Sequence, residues 1–134
     1  MPTMTAAQRR QQQREQFLAA MAECPSRRVV ETLSDKWVTL VLHALADGPV
    51  RRGDLSRDVI GATQKMLTQT LRSLERDGML TRAIIPGVPV GVEYELTPLG
   101  RSLLDLVRTI RDWSEEHIDQ IDTARAGSQA RAAA

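Results

Sequence analysis

Apolar and polar residues between positions 61 and 96 follow two different periods. From 63 to 77 the apolar positions recur at the spacing of an α-helix, and the residues that share its inner face are Leu67, Thr70, Leu71 and Leu74. From 92 to 96 apolar and acidic residues alternate, which is the period of a half-buried strand. The segment therefore predicts a helix that begins after Thr63 and ends before Gly78, followed by a β-hairpin of strands 80–85 and 92–96.

The outer face of this helix carries hydrogen-bond donors and no acid. Its members are Lys65, Thr68, Gln69, Arg72 and Arg76. Exposed helix faces ordinarily mix both charge signs, so a face of this composition favours phosphates and base edges as partners. An ordinary surface helix is the alternative interpretation of the same segment.

Four further helices are predicted before this one. They are a mostly polar helix over 5–22, a short helix over 26–33 capped by Ser26, an amphipathic helix around 37–45, and a short helix over 52–59. The turn Ile60-Gly61-Ala62 joins the last of these to the helix that begins after Thr63. The two helices on either side of that turn therefore predict a helix-turn-helix.

A long helix is predicted after Thr97-Pro98, where the threonine is a good cap and the proline suits the first helical position. Its apolar stripe is wider than one small domain can cover, so we expect a second subunit to cover it together with the first helix. The residues expected at this homodimer interface are Phe17, Leu18, Met21, Leu103, Leu106, Ile110 and Trp113. The tail from 123 to 134 is small and polar, so it is expected to be disordered.

These elements predict a mainly α fold with a small β-hairpin, that is, a winged helix-turn-helix with dimerisation helices at both ends. The expected organisation is an N-terminal dimerisation helix over 1–23, a winged helix-turn-helix core over 24–97, a C-terminal dimerisation helix over 98–122, and the tail over 123–134. At 134 residues the chain is expected to form one small module.

Composition indicates the kind of core and the cellular compartment to expect. Only four residues are aromatic, so the core must be aliphatic, and the net charge of +1 says little because the placement of charges matters more. Positions 51–82 hold seven basic and four acidic residues, which makes this stretch locally positive. One cysteine cannot form an internal disulfide, and no apolar run approaches the roughly 18 to 20 residues of a membrane span. We therefore expect a reduced, cytoplasmic protein with no membrane partner.

Several short motifs together resemble a known bacterial pattern. They include Cys24-Pro25, Asp35-Lys36-Trp37, Lys65-Met66-Leu67-Thr68, Asp77-Gly78, Val92-Glu93-Tyr94 and Leu96-Thr97. Over roughly 24–117 the chain resembles the HxlR-type, MarR-like winged helix-turn-helix regulators. The resemblance implies homodimeric transcription factors that bind operator DNA, with the dimer built from the N- and C-terminal helices. It also implies that a cysteine at the position of Cys24 senses electrophiles or oxidants in some members.

Two positions depart from that pattern. Arg52 stands where the family often has phenylalanine, and Val90-Gly91 stands where the wing commonly carries a basic residue. Contact between the wing and minor-groove phosphates is therefore in question, and Arg82 or Arg51 is the expected substitute.

The candidate DNA contacts follow from the first turns of the outward helix, which enter the groove in helix-turn-helix proteins. They are Gln64, Lys65, Thr68, Gln69 and Arg72, with Arg51, Arg52 and Arg82 as phosphate contacts. Glutamine can read adenine and arginine can read guanine, each through two hydrogen bonds. Two alternatives stay open: Arg72 pairs with Glu75, or Thr68 bonds back to its own helix.

Cys24 has two interpretations. It is a small packed residue, or it is a redox sensor whose pKa is lowered by Arg27, Arg28 and the helix start after it. Trp37 and Trp113 are more typical of a core, although an aromatic pocket at the dimer seam would suit a small effector.

Two other protein classes compete with a DNA-binding regulator. An enzyme is disfavoured because His43 and His117 are isolated and the chain lacks a phosphate loop or nucleophile motif, so no cofactor or metal is expected. A winged helix used only as a protein adaptor would be marked by acids on the outward helix face, which this helix lacks.

Overall fold

The structure is a computed structural model that describes residues 2–134, and within that range it contains six helices and one small sheet. In chain order the elements are α1 Ala6–Ala22, α2 Pro25–Ser34, α3 Lys36–Ala44, β1 Val50–Arg51, α4 Arg52–Asp58, α5 Gln64–Arg76, β2 Leu80–Ile85, β3 Gly91–Leu96 and α6 Pro98–Ala133. The mainly α class with a small β-hairpin is confirmed.

The core lies where α3, α4, α5, the sheet and the first turns of α6 meet. Its buried side chains are Val38, Val41, Leu42, Leu45, Leu55, Val59, Leu67, Leu71, Leu74, Leu80, Tyr94, Leu96, Leu103, Leu104 and Val107. Only one of them, Tyr94, is aromatic, as the composition suggested. The four residues placed on the inner face of α5 by periodicity are all buried, so this face of the helix was predicted correctly.

The sheet has three antiparallel strands in the order β1, β3, β2. The hairpin pairs Leu80 with Leu96 at its base and Ile85 with Gly91 near its tip. β1 adds only two residues, with Val50 opposite Tyr94. Sequence reasoning missed β1, because a strand this short has no period of its own and is defined by the strand it pairs with.

Local hydrogen bonds fix both ends of α5. The Thr63 hydroxyl accepts a hydrogen bond from the Met66 backbone N–H at 3.1 Å, which caps the first turn. After the last turn, Gly78 has φ +77°, a conformation that glycine adopts without strain. The Gly78 N–H then bonds the Glu75 carbonyl at 3.0 Å, and the Met79 N–H bonds the Leu74 carbonyl at 2.9 Å. This Schellman arrangement ends the helix and turns the chain into β2.

Two expectations about helix ends were wrong. The N-cap of α2 is Cys24, with Pro25 at the first helical position, and not Ser26. The tail 123–134 is not disordered, since α6 continues to Ala133. Extending an existing helix costs little once it is nucleated, and the alanines of the tail have the highest helix propensity.

Leu103 was also misassigned. It was expected to need a second subunit, but it is buried with Leu104 and Val107 against the core of its own chain. The inner face of α6 therefore packs within the subunit, and the exposed apolar residues lie on another face of the helix. Within residues 2–134, no helix is both long enough and apolar enough to span a membrane.

Candidate nucleic-acid interface

The outward face of α5 is the most distinctive surface of the protein. Thr63 sets the start of the helix, and the side chains that follow it on the outer face are exposed, except for a half-buried Thr68. The exposed members are Gln64, Lys65, Gln69, Arg72 and Arg76. This face presents donors to solvent at the end of a helix-turn-helix, in the geometry that suits a DNA major groove.

Arg52 has a role that the sequence did not reveal. Its Nη1 donates to the Ser56 Oγ at 2.8 Å, and its Nη2 donates to the Thr68 Oγ1 at 3.0 Å and to the Gln64 carbonyl at 3.4 Å. The side chain is half-buried and joins α4 to the first two turns of α5. The only signal in the sequence was the arginine itself, at a position where the family often has phenylalanine.

The other candidate phosphate contacts lie on the sheet. Arg51 is exposed in β1 opposite Glu93 of β3. Arg82 of β2 lies 4.0 Å from Glu75, measured from Nε to Oε1, and both side chains are well exposed. Such surface pairs contribute about 1 kcal/mol or less, so a phosphate can compete for Arg82. Because Glu75 pairs with Arg82, the alternative in which Arg72 pairs with Glu75 has no support from this geometry.

The wing is uncharged at its tip. Ile84, Val88 and Val90 are all exposed, and Val88 is wholly so. A shallow cavity of about 390 Å³ separates the start of β3, near the tip of the wing, from the start of α4. It is lined by Arg51, Arg52, Gly53, Asp54, Val90, Gly91 and Val92. Arg52 lines this cavity and also bonds to α5, so it lies between the wing and the recognition helix.

Cys24 lies at the N-terminus of α2 and is partly exposed. Its Sγ is 3.2 Å from the Ser26 Oγ. Hydrogen bonding from the Ser26 hydroxyl, and then from the backbone of Arg27 and of Ser26, lowers the pKa of the Cys24 thiol. These interactions stabilise the thiolate, which is the reactive form of cysteine.

The terminal helices expose the remaining apolar side chains. All of α1 is exposed within the subunit. The exposed members of the predicted interface are Phe17, Leu18, Met21, Leu106, Ile110 and Trp113. These apolar side chains lie on both terminal helices, outside the core.

The two tryptophans have separate surroundings. Trp37 packs over the turn at Gly61, where a Cβ on the glycine would lie 3.4 Å from the indole, and the Lys36 Nζ sits 4.7 Å from the centre of the Trp37 ring. Trp113 stacks on His117 with ring centroids 4.3 Å apart. Neither indole lines the cavity between the wing and α4, and neither lines a second cavity of about 680 Å³ between α2 and the C-terminal end of α5. The effector pocket therefore stays a prediction.

Comparison with known proteins places the chain among transcriptional regulators. The model of the HxlR-like helix-turn-helix family matches residues 32–122. YtfH of Escherichia coli K12, named as an HTH-type transcriptional regulator, is 42% identical over 103 residues, which are 77% of this chain and 82% of that protein. The solved structure of ytfH from Salmonella typhimurium is 44% identical, with a TM-score of 0.67, and covers 78% of this chain and 93% of its own.

Two further solved structures have titles that refer to redox chemistry. The redox regulator HypR in its reduced form is 33% identical, with a TM-score of 0.68, and covers 75% of this chain and 99% of its own. The reduced form of YodB from Bacillus subtilis is 31% identical, with a TM-score of 0.63, and covers 69% of this chain and 92% of its own. The family match, the sequence identities and the shared fold agree, and this chain belongs to the HxlR-like helix-turn-helix family of transcriptional regulators.

Proposed function

We propose that this protein is a sequence-specific DNA-binding regulator that acts as a homodimer on a near-palindromic operator. The observation that carries the proposal is the outward face of α5, which is exposed and rich in donors, while the single acid of the helix, Glu75, lies at the edge of this face and pairs with Arg82. Lys65 and Arg72 supply positive charge for phosphates, and Gln69 and Arg72 supply the paired hydrogen bonds that distinguish bases.

The homodimer is supported by α1. A helix of 17 residues that buries no side chain is marginal in water, because most helical stability in proteins comes from packing. Its apolar residues Phe17 and Leu18 and the exposed stripe of α6 with Ile110 can pack on a second copy of the same chain. A two-fold axis then places two α5 helices about one turn of DNA apart, roughly 34 Å, which calls for a palindromic operator.

The DNA-binding proposal predicts a specific pattern of weakened binding. Changing Gln69 or Arg72 to alanine should weaken operator binding by about 1 to 3 kcal/mol each where the side chain reads a base. The operator is first selected from a random DNA pool with the purified protein, and affinities are then measured by fluorescence anisotropy at several salt concentrations. Arg125→Ala, far along α6, is the control and should leave affinity unchanged.

Log affinity should also fall linearly with log salt concentration, since phosphates are neutralised by both subunits. Selection of no preferred sequence, or full affinity in both α5 variants, would contradict the proposal. Light scattering of the complex should find two chains per operator, and one chain would exclude the homodimer.

We also propose that thiol modification at Cys24 regulates DNA binding. The support is the lowered pKa of the Cys24 thiol and the likeness to HypR and YodB, of which one is titled a redox regulator and the other has a diamide-treated form. In the proposed step two thiols, from two subunits or from Cys24 and a small thiol, lose two protons and two electrons and form a disulfide. The oxidant, for which diamide is the probe, takes them up and becomes a hydrazine.

Ser26→Ala tests the chemical basis of this step. Loss of the Ser26 hydroxyl removes the largest cause of the low pKa, so the pKa of the Cys24 thiol should rise towards its ordinary value. The rate of alkylation by iodoacetamide, measured against pH, should then shift to higher pH and be slower near neutrality. Ser34→Ala, at the other end of α2, should leave the profile in place, and equal shifts in both variants would refute the assignment.

The regulatory role is tested by operator binding before and after diamide, in wild type and in Cys24→Ser. We expect the wild type to lose affinity and Cys24→Ser to keep it. Equal responses would leave Cys24 a packing residue, and a small effector would then be sought near Trp37 and Trp113 at the dimer seam.

A further inference from the structure

Arg52 places a charged side chain at the junction of the two helices of the helix-turn-helix. Its two terminal nitrogens reach α4 through Ser56 and α5 through Thr68 and the Gln64 carbonyl, with donor–acceptor distances from 2.8 to 3.4 Å. The guanidinium is planar and its donors are fixed in direction, so one arginine can hold several acceptors in a set arrangement. The residues that it holds belong to the first turns of α5, which are the turns proposed to enter the groove.

The hydrogen bond from Arg52 decides what the Thr68 side chain offers to DNA. The Thr68 oxygen accepts this hydrogen bond at 3.0 Å, so its own O–H is the group left to donate. A hydroxyl oriented in this way suits an acceptor, such as a guanine N7 or O6, a thymine O4 or a phosphate oxygen. A free hydroxyl can donate or accept a hydrogen bond, and the bond from Arg52 leaves the Thr68 hydroxyl as a donor.

The same network reaches Gln64 through Ser56. The Ser56 hydroxyl accepts from Arg52 at 2.8 Å and lies 3.4 Å from the Gln64 Oε1. It also lies 3.0 Å from the Arg52 carbonyl, which keeps it close to α4. A hydroxyl has one hydrogen, and the nearer acceptor for it is the Arg52 carbonyl, so Ser56 lies beside the Gln64 side chain without fixing its amide. Arg52 instead holds Gln64 through the Gln64 backbone carbonyl.

We propose that Arg52 is a specificity-determining positioning residue, which orients the Thr68 side chain and holds the Gln64 backbone of the recognition helix, and does not itself contact a phosphate. The inference rests on the proposed DNA-binding function. It departs from the sequence-based prediction, in which Arg52 was grouped with the phosphate contacts. Its half-buried guanidinium already donates to three acceptors inside the protein, whereas the exposed neighbour Arg51 keeps its side chain in solvent.

Arg52→Met and Arg51→Met separate the two roles, because each removes the charge and keeps an unbranched side chain. The slope of log affinity against log salt falls in magnitude by about 1 for each phosphate contact removed, and hence by about 2 when the same side chain is removed from both subunits of the dimer. We expect that fall in Arg51→Met, with its base preference unchanged. In Arg52→Met we expect an unchanged slope and a roughly tenfold loss of preference at the bases read by the first turns of α5, which corresponds to about 1.4 kcal/mol.

Thr68→Val provides the second measurement, since valine keeps the shape of threonine and cannot accept from Arg52. If Arg52 acts through Thr68, Arg52→Met should reduce the base preference much less when it is added to Thr68→Val than when it is made in the wild type. Thermal unfolding of each variant checks that the fold is retained, and Arg52→Lys, which can restore one of the bonds, should recover part of the preference.

Each remaining outcome overturns the inference. A fall in the salt slope of Arg52→Met equal to that of Arg51→Met would make Arg52 a phosphate contact. Unchanged preference and slope in a folded Arg52→Met would make the network purely structural, and additive effects in the double variant would uncouple Arg52 from Thr68. A wild-type protein that selects no sequence from the random pool would instead defeat the proposed function, on which this inference depends.

Discussion

Replacing Gly100 with alanine is expected to destabilise the protein by about 3 kcal/mol, in the upper range of what overpacking costs. A Cβ at this position would lie 1.9 Å from the Met79 carbonyl oxygen and 2.9 Å from its carbon, and it would also press on Leu96 at 3.2 Å. The Met79 carbonyl cannot move aside cheaply, because it is backbone and accepts a hydrogen bond from the Thr97 N–H at 3.0 Å. The first turn of α6 must therefore shift away from the Met79 backbone. Urea denaturation of the purified variant measures the change.

Gly127→Ala is the matched control in the same helix. A Cβ at Gly127 would meet only the end of the flexible Arg131 side chain, at 3.7 Å. Alanine is favoured over glycine in a helix by up to about 1 kcal/mol, so this variant should be as stable as the wild type or slightly more so. Equal stabilities for Gly100→Ala and Gly127→Ala would mean that the first turn of α6 does not pack against the Met79 backbone.

Asp35→Ala is expected to cost about 3 kcal/mol, because one carboxylate serves two elements. One oxygen accepts from the Trp37 backbone N–H at 2.9 Å and caps α3, and the other accepts from the Thr70 hydroxyl at 3.0 Å. Thr70 is only 2% exposed, so the variant loses a helix cap and also leaves a buried hydroxyl without this acceptor. The free energy of unfolding, again from urea denaturation, is the quantity to measure.

A double-mutant cycle with Thr70→Val separates the two contributions. Once the hydroxyl is gone, Asp35→Ala should cost only the cap, about 1 kcal/mol. Asp35→Asn, which keeps a capping oxygen and a polar group opposite Thr70, should be much milder than Asp35→Ala. An equal cost of Asp35→Ala with and without the Thr70 hydroxyl would refute the link between α3 and α5.

The features of α5 could be predicted because they are local. Periodicity placed its inner face, and Thr63 and Gly78 marked its ends through hydrogen bonds within a few residues. The same reasoning failed on α6, where the repeated apolar residues belong to two faces. Leu103 packs on the core and Leu106 does not, and only the three-dimensional path of the helix separates them.

The Arg52 network could not be predicted, because its partners are far apart in the sequence. Arg52 and Thr68 are 16 positions apart, and what brings them together is the angle between α4 and α5. That angle results from packing of the core around Leu55 and Leu67, which no pattern along the chain encodes. The charge of Arg52 was visible in the sequence, but whether it faced solvent or the protein was not.

If the protein binds an operator as the proposed dimer, the length of α6 affects which DNA it selects. Its 36 residues span roughly 54 Å, and burial against the core ends at Val107. In the proposed dimer, the point along α6 at which the partner subunit packs sets the distance between the two α5 helices. A slip of one helical turn, about 5.4 Å, equals about one and a half base pairs along DNA. In that dimer, side chains that never approach a base would therefore set the distance between the two halves of the operator.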